Sequence, residues 1–240
     1  MTLVALWLLT VGLADLVRGS TDARRRTLPA TLVAVGSVAL VALLGGFTFS
    51  GFVVSLLLVT FPTWLWILGS ASALRGRASV ALPLSVLGVT LLVLLLWSGS
   101  TPSLGGHLAE WYTGVDVPLL AGLPLTRFAT VVGALVFLQV SSNIVVRLVL
   151  DGAGSPAPRG ESSLRGGRVL GPMERTFIFA LGLAGQLTAA SIIVAAKGLL
   201  RFPEIQAQRD ASDSVDELTE YFLVGSMASW LLALAFLPLV

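Results

Sequence analysis

Long apolar runs broken by short polar segments recur along the whole chain. They fall at roughly residues 2–17, 28–46, 51–70, 79–98, 127–150, 172–200 and 218–239. A helix needs about 20 apolar residues to cross about 30 Å of hydrocarbon, and most of these runs approach that length. The pattern predicts an all-α bundle of seven transmembrane helices, five followed by a C-terminal hairpin. Residues 1–150 then form a five-helix region, 151–170 a cytoplasmic linker, and 171–240 the hairpin. Pro62 in "VTFPTWLW" predicts a kink in the third span, because a proline inside a helix lacks one backbone donor.

Composition sharpens this reading. Of 240 residues, 55% are hydrophobic and 12% charged, with a mean hydropathy of +0.92. A soluble domain carries about 25% charged residues, so the deficit predicts an integral membrane protein. The net charge of +2 and pI near 9.7 do not point to nucleic acid, because the basic residues gather between apolar runs. With the N-terminus outside, Arg18, Arg24, Arg25, Arg26, Arg75, Arg77, Arg147, Arg159, Arg165, Arg168 and Arg175 all fall on the inner side. Arg127, Lys197, Arg201 and Arg209 fall outside, so 11 of the 15 basic residues are internal. That bias predicts a protein of the cytoplasmic membrane with an external N-terminus and a cytoplasmic C-terminus. In residues 1–17 the apolar run precedes its arginines, opposite to a secretory signal, so a retained helix is expected. Arg18 is expected to snorkel from its inner end.

The chain has no cysteine, and His107 is its only histidine. Disulfides, thiolate nucleophiles, cysteine metal sites and multi-histidine metal sites are therefore excluded. No cofactor is implied, and no nucleophile–base pair is recognisable, so an enzyme is the least favoured class.

Two loops stand out. "DGAGSPAPRGESSLRGGRVL" (151–170) reads as a flexible linker. The outer segment 99–126 contains "HLAEWYTGVDVPLLAGLPLT", where Trp111 and Tyr112 suit a headgroup-level anchor. Its "VPLLAGLPL" is too short to span, and is read as interfacial in preference to re-entrant. His107 is read as an exposed loop residue.

Polar residues within the apolar runs supply the candidate chemistry. Arg175, Gln186 and Lys197 are 11 residues apart, three turns plus about 20°, and would share one face of a continuous sixth helix. Gln186 would then sit near mid-membrane, with Arg175 and Lys197 snorkelling at the two boundaries. In the fifth span, Gln139, Asn143 and Arg147 recur every four residues along one face, and Gln139 is expected to meet Gln186. At the outer end, Pro203 is expected to help stop helix six. Ser214 and Glu217 have capping-box spacing for helix seven. Lys197 and Arg201 would meet Glu217 and Glu220 there in an ionic cluster. On the inner side, Asp15, Arg147, Glu174 and Arg175 form a charge cluster, with Arg18 the i,i+3 partner of Asp15.

"GPMERTFIFALGLAGQLTAASIIVAAKGLLRFPEI" followed by "EYFLVGSMAS" resembles a bacterial multi-pass membrane family catalogued as domain of unknown function number 3307. The matching features are Glu174-Arg175, Gly185-Gln186, Ala195-Ala196-Lys197, Arg201-Phe202, Glu204, Glu220 to Leu223, and Gly225. Members often carry a His and an Asp in the first helix, whereas "LAD" (13–15) here has only the Asp. The residue after the lysine, usually Ser, is Gly198. The resemblance implies a helical inner-membrane protein with no established activity.

The expected function is binding or passage of a small solute or ion through a polar zone between helices five and six. Its candidate residues are Gln139, Asn143, Gln186, Lys197, Arg201, Glu217 and Glu220. The alternative is a non-transporting subunit or scaffold that docks a partner protein. Expected partners are the lipid bilayer and a second copy or another membrane protein.

Overall fold

The computed structural model describes residues 1–19, 27–100, 102–154, 167–209 and 215–240. Among them all regular structure is helical. Three helical segments, Thr27–Leu44, Phe49–Ala73 and Glu220–Leu239, are long and apolar enough to cross a membrane. A fourth crossing results if the pair Leu125–Gln139 and Ser141–Ala153 is one broken span. The apolar helices Ala81–Leu96 and Leu187–Ala196 are shorter.

The chain divides into two compact units, Met1–Ser141 with Leu239–Val240, and Ser142–Pro238. The boundary falls inside the expected fifth span, so residues 142–153 group with the terminal helices.

The first unit is built around α1 (Thr2–Arg18). This helix buries nearly its full circumference, as expected of a helix that is apolar all round. It packs against α2 (Thr27–Leu44), α4 (Phe61–Ala73) and α7 (Leu125–Gln139). On α2, Ala30, Ala34, Val38 and Ala42 recur every four residues and form its buried stripe. Small residues on such a stripe let helix backbones approach without a hydrophobic drive between them. Ser37 Oγ donates to Thr10 Oγ1 at 3.1 Å and ties α2 to α1. The α1–α7 contact is closer still. A Cβ on Gly133 would lie 2.7 Å from the Ala5 carbonyl, and one on Gly12 would lie 2.7 Å from Val136 Cγ1.

The irregularity expected at Pro62 takes the form of a π turn. Helix α3 (Phe49–Ser55) continues through π-helical Leu56–Thr60 into α4, with Pro62 in the first turn of α4. The Phe61 N–H reaches back to the Leu56 carbonyl, five residues away. A π turn of this kind accommodates the missing proline donor without ending the helix. Helix α5 (Ala81–Leu96) follows.

The outer segment folds as α6 (Gly106–Gly114) and a 3-10 turn at Pro118–Leu120. It is held to the α2–α3 turn by the bond from Gly105 N–H to the Gly45 carbonyl, 2.9 Å. Gly106, at φ +51°, sits where a Cβ would come 2.9 Å from the Leu44 carbonyl. Tyr112 donates to the Leu123 carbonyl at 2.8 Å and packs at a tilt against Phe128, while Trp111 and His107 stay exposed. His107 lies on a helix and not in a loop, paired with Glu110 at 3.0 Å.

The second unit contains α8 (Ser141–Ala153, from Ser142 onward), α9 (Gly167–Leu183), α10 (Leu187–Arg209) and α11 (Val215–Ala235). The sixth span is therefore not the continuous helix that the 11-residue spacing assumed. Gly185, at φ +71°, ends α9. Gln186 N–H bonds to the Leu181 carbonyl at 2.7 Å, and Gly185 N–H to the Gly182 carbonyl at 3.0 Å. This pair of bonds is a Schellman cap, for which glycine's tolerance of positive φ is the usual requirement. At the other end, α10 runs through Pro203 to Arg209, so the expected stop does not occur there. A proline inside a helix removes one hydrogen bond, and here the helix continues beyond that loss. The fifth span is also interrupted, at Val140, where φ −118° and ψ −64° leave the α-helical range.

Large apolar side chains are left uncovered on α2, α3–α4 and α5, and also on α9, α10 and α11. Examples are Leu28, Leu43, Phe49, Leu57 and Leu96. Exposed apolar area on that scale is foreign to a soluble monomer and suits contact with lipid.

Candidate functional site

Among the described residues, each unit shows a polar network built on a buried arginine. In the first, Asp15 and Arg18 share a face of α1 at i,i+3, and Arg18 Nη2 lies 3.1 Å from Asp15 Oδ1. The expected pairing is present, but Arg18 does not snorkel. It is 2% exposed, because Nη1 turns onto α4 and donates to the Ile67 carbonyl (2.8 Å) and Ser70 Oγ (2.9 Å). These acceptors satisfy the guanidinium inside the bundle, so it does not need to reach headgroups. Trp66 Nε1 donates to Asp15 Oδ2 at 2.9 Å. Ser141, at the start of α8, faces the same carboxylate without closing a hydrogen bond. Val59, Thr63, Trp66 and Ser70 form the face that α4 and its π turn bury. A buried pair tied to a second helix through Ile67, Ser70 and Trp66 fixes register between the two helices.

The second network lies within Ser142–Pro238. Arg175, on α9, is 2% exposed. Its Nη1 donates to Ser229 Oγ on α11 at 3.1 Å, and its Nη2 donates to Asn143 Oδ1 on α8. Glu174 is buried beside it and acts on it electrostatically. Gly171, one turn back, leaves space beside the guanidinium; only Arg175 Nη1 lies within 4 Å of a Cβ built there, at 3.9 Å. Gly225 on α11 packs against Leu150 and Val146 of α8, which brings Ser229 and Asn143 to the same arginine. Arg175 thus does not snorkel. Three helices supply its neighbours, and burial makes its hydrogen bonds count for more than they would in water.

Of the residues expected at a site, Asn143 is engaged by Arg175, and Glu174 flanks it. Asp15 belongs to the other network, in the other unit. Arg147 is exposed on α8. Gln139 is the exposed last residue of α7, and Gln186 is exposed in the α9–α10 turn. Both glutamines stand at helix breaks and not at mid-helix. They belong to different units. Glu220 is exposed near the start of α11. The side chains of Lys197, Arg201 and Glu217, and all of Ser214, lie outside the described residues. The expected outer ionic cluster lies outside them too. Ser229, Trp66 and Ser70 were not anticipated. Ser229 and Ser226 are buried serines on one face of the last helix, a pattern that could have marked that face. Among the described residues no group of three His, Asp or Glu side chains could hold a metal ion.

Among the described residues the regular structure is all helical, several helices are long and apolar enough to cross a membrane, and each compact unit holds a buried arginine. No family profile, curated protein or solved structure matches the chain.

Proposed function

We propose that the chain is a seven-span protein of the cytoplasmic membrane, with its N-terminus outside, that binds or passes a small solute or ion at the Arg175 centre. One observation carries this reading: a guanidinium is buried among three helices beside Glu174, with two of its nitrogens donating to Ser229 and Asn143. An ionisable residue inside a membrane bundle is costly, and such residues characteristically mark substrate or ion paths. Interrupted helices support the same reading, since transport sites are commonly formed where membrane helices break. The spans that carry Asn143 and Arg175 both break, at Val140 and at Ala184–Gln186. The resemblance to the family of unknown function adds only its helical inner-membrane architecture to this proposal.

The competing reading is a non-transporting subunit. It takes the same bonds as glue between helices, and the closed Asp15–Arg18 network is the observation that favours it. Water separates the two readings. The chain has no native cysteine, so Ser229→Cys can be probed alone in native membranes with a charged, water-soluble methanethiosulfonate. Ser229→Cys is expected to react many-fold faster than Leu148→Cys, a fully buried apolar position in the same unit. Equal inertness at the two positions would make the centre dry and hand the case to the subunit reading.

A further inference from the structure

A cleft between the π-bulged span and α5 belongs to neither polar network. Leu58, Phe61, Leu65, Val86, Val89 and Val93 line it, and its volume is about 320 Å³. The two helices touch at one end, where a Cβ on Gly69 would lie 3.0 Å from Leu82 Cδ2 and 3.5 Å from Pro83 Cβ. Beyond that contact come Pro62 and the π turn, and the space between the helices opens into the cleft. Ser85 and Thr90 also border it. Their hydroxyls donate to carbonyls of their own helix, Leu82 (2.8 Å) and Val86 (2.6 Å). The cleft therefore presents a hydrocarbon wall, and nothing in it asks for a polar occupant.

The cleft is apolar and open along one side, so a single polymethylene chain can lie along it. The turn that joins α4 to α5 adds a second requirement. It carries Arg75 and Arg77, both exposed, on either side of Gly76 at φ +66°. Ser85 lies one turn into α5, which starts at Ala81, so the cleft begins about 6 Å along the helix beyond the arginine turn. That lies within the roughly 15 Å of hydrocarbon in one leaflet. A lipid whose headgroup sits at the turn can extend its chain over exposed Leu82 into the cleft.

We propose that this cleft holds one acyl chain of an anionic phospholipid whose headgroup is bound by Arg75 and Arg77. The site is separate from the Arg175 centre and does not depend on its function.

The test is photocrosslinking of the full chain in lipid nanodiscs with phosphatidylglycerol carrying a diazirine on its acyl chain. Phosphatidylcholine with the same chain is the comparison. Label is expected to concentrate on residues 58–65 and 86–93. Phosphatidylglycerol is expected to label at least about fivefold more than phosphatidylcholine, the preference one arginine near an anionic surface confers. Arg75→Gln with Arg77→Gln abolishes that preference and leaves the labelled positions unchanged. Val89→Trp fills the cleft and removes the label; Val86→Leu, a milder filling, reduces it in protein that elutes as wild type. Equal labelling by the two lipids overturns the headgroup assignment. Label spread evenly over the outward faces of α2 and α4 overturns the site. High-yield disulfide dimers of Val89→Cys would put a second copy in the cleft and overturn it as well.

Discussion

Asp15→Asn destabilises the protein by about 3–5 kcal/mol, the usual cost of stripping one partner from a buried ion pair. The substitution keeps the shape of the side chain and removes its charge. Arg18 is then left 2% exposed with neutral acceptors only, Ile67 O and Ser70 Oγ. Asp15→Leu combined with Arg18→Met removes both charges and should recover most of the loss, since a buried pair is often replaceable by apolar side chains of similar volume. A residual deficit of about 1–3 kcal/mol is expected, because Trp66 Nε1 loses its acceptor. Denaturant unfolding in mixed micelles, followed by tryptophan fluorescence, measures all three. A double variant no better than Asp15→Asn would show that the network is more than a lock between α1 and α4.

Gly133→Val separates α1 from α7. Its Cβ would meet backbone, the Ala5 carbonyl at 2.7 Å and Leu9 N at 3.3 Å, and neither can swing aside as a flexible side chain would. Overpacking of this kind costs about 1–3 kcal/mol when the surroundings yield, and more when backbone must move. Gly36→Ala and Gly88→Ala are the contrast. Both sit inside helices with nothing within 4 Å of the added Cβ, and each should stabilise by about 0.5–1 kcal/mol through lost chain entropy. The same unfolding assay resolves the difference in sign. If Gly133→Val unfolds like wild type, the α1–α7 contact is looser than described here.

The legibility of the sequence differed from element to element. Apolar runs located most of the helices, but the fifth and sixth runs each hold two, and three or four segments are long and apolar enough to cross a membrane. The Asp15–Arg18 pair was readable because its partners are one turn apart. Trp66 and Ser70 lie 51 and 52 residues from the groups they bond, and no local spacing reports a contact at that range. Pro62 signalled an irregularity, but whether a helix kinks or inserts a π turn depends on its neighbours. The two helix breaks had local signals that the apolar periodicity masked. "LAGQ" places a glycine where a Schellman cap needs positive φ, and "VSSN" puts two serines where helices commonly bend. Reading straight through Gly185 put Gln186 on a face with Arg175 that the folded chain does not have. Arg175 itself was expected at a boundary, because helix position alone cannot show that Asn143 and Ser229 converge on it.

The central claim is that Arg175 stands at a solvent-reachable polar centre within a membrane bundle. A map of the protein in lipid nanodiscs, at a resolution that shows ordered water, tests it most directly. The account predicts a file of water or solute density running from one membrane surface to the Arg175 guanidinium between α8, α9 and α11. Continuous apolar packing around an Arg175 whose every donor ends on protein atoms would contradict it.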